Sequence, residues 1–88
     1  MNPVLGSPMG VSFVKTVKFI FPDELIKRPL LHEMAQMYDI ITNIEKAHVG
    51  ETNGWIIVEV SGTGDELDKA LQWVADQGVC VQTLFPNV

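Results

Sequence analysis

Apolar and polar positions along the chain form four blocks suited to strands and two of helical period. Val14 to Phe21 alternates, with Val17, Phe19 and Phe21 on one face and Thr16 and Lys18 on the other; Pro22-Asp23 closes this first strand. Leu30, Leu31, Met34, Met37 and Tyr38 recur at helical spacing. Proline costs about 3 kcal/mol inside a helix but is accepted at its first position. The helix is therefore expected to start at Pro29 and end at Asp39, after a loop over 23–28. Ile40 to Val49 and Trp55 to Val60 read as strands, and the turn cluster Gly50 to Gly54 between them predicts an antiparallel hairpin. Thr63 and Glu66 have the spacing of a capping box, and Asp65, Glu66 and Asp68 suit the positive end of a helix dipole. Leu67, Ala70, Leu71 and Val74 give that second helix its stripe, with Gly78 as its terminal cap. Val79 to Phe85 is the fourth strand.

The order β-α-β-β-α-β predicts an α+β, ferredoxin-like sandwich: a four-stranded antiparallel sheet with both helices on one face. Residues 1–12, with two each of Pro, Gly and Ser and no periodicity, are expected to be a flexible tail, leaving 13–88 as the domain.

Alternation sorts the strand residues by face. Toward the helices it directs Val17, Phe19, Phe21, Ile40, Thr42, Ile44, Ile56, Val58, Val60, Val79 and Val81. To the uncovered face it assigns Thr16, Lys18, Ile20, Ile41, Asn43, Glu45, Trp55, Ile57, Glu59, Cys80, Gln82 and Leu84. Six of those twelve are apolar, too many for a surface meant only for water. Ile41, Trp55 and Ile57 are expected to lie close together, and with Ile20 to be buried in a homodimer.

Composition narrows the chemistry. Of 88 residues, 47% are hydrophobic and 19% charged, a globular balance too small for more than one domain. A net charge of −5 opposes binding to a nucleic-acid backbone. No run reaches 18 apolar residues, so no membrane insertion is expected, and 1–10 do not read as a signal peptide. The lone Cys80 allows no internal disulfide and suits a cytoplasmic location. His32 and His48 lie on different elements without metal-ligand spacing, Cys80 has no evident base, and Met34 and Met37 read as core. Neither an enzyme nor a cofactor is expected. The first loop, Pro22-Asp23-Glu24, has neither the CxxC of metal chaperones nor the anion cradle of acylphosphatase-like catalysis.

The stretches Val17–Pro22, Arg28–Leu31, Asp39–Ile44, Ile56–Gly62, Ala70-Leu71 and Gly78–Val81, taken in order, resemble the NIL domain family over about residues 14–85. The Asn-Ile-Leu triplet that names the family reads Asn43-Ile44-Glu45 here, departing at its third position. The resemblance implies an ACT-like regulatory module of the kind found on the ATPase subunits of methionine importers, where it dimerises, binds methionine and restrains transport, or on iron–sulfur ferredoxins. With no phosphate-binding GxxxxGK[ST] and no cysteine cluster, what it implies here is a detached cytoplasmic sensor or assembly module. Its partners would be a second copy, a small amino acid and a transporter ATPase or other protein. It places Asn43 at the ligand pocket; the face assignment adds Ile41, Trp55 and Ile57 to receive an apolar side chain and Glu45 to pair with a ligand ammonium. The alternative is a ligand-free dimerisation or docking module.

Overall fold

In the computed structural model, which describes residues 12–51 and 53–85, strand β1 (Ser12–Pro22) runs through the middle of a four-stranded antiparallel sheet. Beside it lies β3 (Asn53–Thr63), and the edges are β2 (Ile40–Val49) and β4 (Cys80–Phe85), in the order β2-β3-β1-β4. Helices α1 (Leu30–Met37) and α2 (Gly64–Asp76) complete the ferredoxin-like α+β sandwich, packing on one face. Of the expected tail, only Ser12 falls within the described residues, where it opens β1.

The core is what the alternation assigned to the helix side. Val17 and Phe19 of β1 and Val58 and Val60 of β3 are fully buried against Leu30 and Met34 of α1 and Leu67, Ala70 and Val74 of α2. Two residues expected there are not. Ile44 sits opposite Val58 on the helix side, yet is 54% exposed. Eight residues of α1 span about 12 Å, whereas the ten of β2 span about 33 Å, so among the described residues this edge strand runs out from under the helix at about Ile44. Met37 is 52% exposed because it is the last residue of the same short helix.

The helix ends correct two further expectations. Pro29 stands just outside α1 as its N-cap, with φ −78° and ψ 64°, after a single 3₁₀ turn at Asp23–Leu25. At α2 the capping box is half made: Thr63 Oγ1 accepts from Glu66 N at 3.3 Å. The Glu66 carboxylate instead accepts from the backbone N–H of Asp39 at 2.7 Å, pinning the start of β2 to α2. Gly78 ends the second helical segment at φ +106°, a left-handed conformation that only glycine adopts without strain, and its N–H donates to Ala75 O at 3.0 Å.

Candidate functional site

Directly opposed residues in a sheet share a face. On the face away from the helices, Ile20 of β1 lies between Trp55 of β3 and Cys80 of β4, and Lys18 between Ile57 and Gln82. Ile20, Trp55 and Ile57 are all half-buried, and among the described residues no helix packs above them. Trp55 is dressed by its neighbours: the Lys18 ammonium lies 4.7 Å from its ring centroid, and the His48 imidazole stacks at 5.9 Å. The centre of this face is thus an aliphatic and aromatic patch flanked by Lys18 on β1 and His48 on β2.

A β-bulge in β2 organises the polar half. The register steps from Ile44↔Val58 to Lys46↔Ile57, leaving Glu45 as the extra residue and bringing Lys46 and His48 onto the bare face. Asn43 lies opposite Glu59, and the Glu45 side chain hydrogen-bonds to the same Glu59. That carboxyl–carboxyl hydrogen bond, helped by desolvation and the Glu59 charge, raises the Glu45 pKa; Lys46 pulls it the other way. The folded chain therefore favours protonated Glu45. Its stabilising contribution is complete at low pH and is lost as pH rises through the raised pKa.

Of the residues expected at the site, Asn43 and Glu45 come together around Glu59, with Ile57 two positions along β3. Trp55 stands two positions further along, grouped with Ile20 and His48. Ile41 does not join them. It lies opposite Ser61, six residues from Trp55 along β3, or about 20 Å, and is 73% exposed. The turn at Gly50–Gly54 forces this, because residues early in β2 must face residues late in β3. Leu84 also leaves the expected pattern. It falls where the β1–β4 register jumps from Thr83 to Phe85, so it has no partner on β1.

Sequence reasoning missed a cleft of about 330 Å³ between the β1–α1 connection and the end of the β2–β3 hairpin. Phe21, Ile26, Leu30, Leu31 and Ile56 make it apolar, and Gly54 is buried in its wall. A Cβ at Gly54 would stand 3.6 Å from the Ile26 side chain and 3.3 Å from the His48 carbonyl. An isolated glycine in a strand marks such a close approach, and Gly54 was the available signal. The connection is fixed by Arg28, which donates from Nε and Nη2 to Glu33 at 3.0 and 2.9 Å and from Nη1 to Gln77 at 2.9 Å. This hydrogen-bonded pairing holds the Glu33 carboxyl below its usual range.

Among the described residues no three His, Cys, Asp or Glu side chains are grouped to hold a metal, and no helix is long and apolar enough to cross a membrane.

A family profile described as the NIL domain matches residues 15–83. A methionine import ATP-binding protein, MetN, of Helicobacter hepaticus is 31% identical over 71 residues, or 76% of this chain, which spans 20% of that relative's length. The C-terminal domain of an ABC transporter ATP-binding protein from Enterococcus faecalis superposes with a TM-score of 0.72 at 17% identity, covering 83% of this chain and 86% of that one. The designed protein Foldit4 superposes at 0.55 with 10% identity, over 88% of this chain and all of that one. At such identities the superpositions speak for the sandwich alone.

Proposed function

The chain belongs to the NIL domain family, and from that premise we propose that it is a non-enzymatic regulatory module of the cytoplasm. In this reading it pairs with a second copy through the bare sheet face and binds a small amino acid, methionine before others, at the polar half of that face. One observation carries the reading: Ile20, Trp55 and Ile57 form a half-buried patch directly beside Asn43, Glu45 and Glu59. A second copy closing on the patch would remove it from water and turn the adjoining polar groups into the wall of a crevice.

The chemistry of that wall suits an amino acid. The Asn43 amide both donates and accepts, the Glu45–Glu59 pair faces a ligand ammonium, and Lys18 and Lys46, both opposite Ile57, supply charge for a carboxylate. Methionine is the first candidate because the Helicobacter hepaticus relative is a methionine importer subunit, and the partner that fits is an importer ATPase. One feature favours the ligand-free docking alternative: Glu45 and Glu59 already occupy each other through their shared hydrogen bond.

A thermal-shift series with the twenty amino acids separates the two. Ligand at 100 times its dissociation constant stabilises the fold by about 2.7 kcal/mol, which in a domain of this size raises the melting temperature by roughly 10–20 °C. Methionine is expected to give a shift of this order, lost in Asn43→Ala. No shift with any amino acid at millimolar concentration would leave the docking module.

A further inference from the structure

The cleft on the helix side lies apart from Asn43, and its charge differs from the rest of the molecule. The whole chain carries −5, yet the titratable residues lining the cleft are all basic in type: Arg28, His32 and His48. Arg28 is held by Glu33 and Gln77, and the His48 imidazole stacks on Trp55 where the cleft meets the bare face, so His32 is the least engaged polar group at the walls. Below them the surface is aliphatic and aromatic, and its volume of about 330 Å³ is at the small end of the range of small-molecule pockets. Glycine at 54 keeps the wall recessed, since a side chain there would grow toward Ile26.

We propose that this cleft is a second ligand site, which takes a small carboxylate with an apolar tail and no amino group. The tail fits against Ile26, Leu31 and Ile56, and the anionic end sits by His32 and His48. An amino acid is the poorer fit because no carboxylate lines the cleft to receive its ammonium. The proposal goes beyond the sensor reading; because His48 and Trp55 border both the cleft and the bare face, its test reads amides that belong to the cleft alone.

Hexanoate, hexanol and hexylamine titrated into the full chain test it, followed by the amide resonances in ¹H–¹⁵N correlation spectra. Hexanoate is expected to move the amides of Ile26, Leu31 and Gly54 saturably, with hexanol weaker and hexylamine without effect. Val49 borders the cleft and is 71% exposed, so charge placed there does not disturb the core. Val49→Glu should weaken hexanoate about fivefold, the ratio set by roughly 1 kcal/mol of solvated repulsion, and Val49→Lys should bind at least as tightly as the parent. The site is overturned if hexanoate leaves these amides still, if hexylamine moves them equally, or if Val49→Glu binds unchanged. Failure of the sensor reading registers elsewhere, at Asn43 and Glu59 with methionine.

Discussion

Trp55→Glu is expected to halve the mass of the particle in solution, from a dimer to a single chain at tens of micromolar, while leaving the monomer folded. Trp55 is only half-buried within one copy, so a carboxylate there remains hydrated in the monomer. The substitution removes the ring stack with His48, worth about 0.5–1.5 kcal/mol, and the Lys18 cation–π contact, worth roughly 0.5–1 kcal/mol at an exposed site. In the closed dimer the same carboxylate lies against apolar surface contributed by both copies. Desolvating an unpaired charge costs several kcal/mol, and two-fold pairing repeats the cost. Association therefore suffers far more than folding. Light scattering reads the outcome directly: an unchanged mass would mean that the bare face is not where copies meet.

Phe19→Ala should be the most damaging substitution in the core, lowering stability by about 3–5 kcal/mol. Phe19 is fully buried in β1, within the cluster that the sheet shares with both helices, and its ring meets Phe21 edge-on with centroids 6.3 Å apart. The cavity cannot close easily, because Ile56 and Val81, directly opposite Phe19, are held in β3 and β4 on either side of it and belong to the same packed cluster. A chain of this length has in all roughly 4–13 kcal/mol of stability, so the variant loses a large share of it. Urea denaturation measures the loss, and a change below about 1 kcal/mol would mean the core is not organised around this ring.

These two residues also show what could be read from the sequence. The alternation that puts Phe19 inside and Trp55 outside is a local period-two signal, and it survives in the fold because β1 and β3 are the central strands, with neighbours on both sides. The edge strand β2 is different. Alternation alone extends Ile41, Asn43 and Glu45 in a single row, but the bulge at Glu45 inserts a residue and resets the phase, so Lys46 and His48 share the face with Asn43. A bulge leaves no mark in hydrophobic periodicity. The separation of Ile41 from Trp55 was legible, since counting back from the turn at Gly50–Gly54 gives the register. Exposure of Ile44 and Met37 was not, because it depends on where an eight-residue helix stops over a longer sheet. The cleft escaped for a related reason: its walls come from a loop, a helix start and a hairpin end that only tertiary packing brings together.

Cys80 offers the most direct test of pairing through the bare face. It is exposed, free and opposite Ile20 at the β4 edge of that face, so it reports on the surface itself rather than on mass alone. The rate at which its thiol reacts with a chromogenic disulfide should fall as protein concentration rises through the dimerisation range, and stay high at every concentration in Trp55→Glu. A wild-type rate that is the same in dilute and concentrated solution would contradict the account.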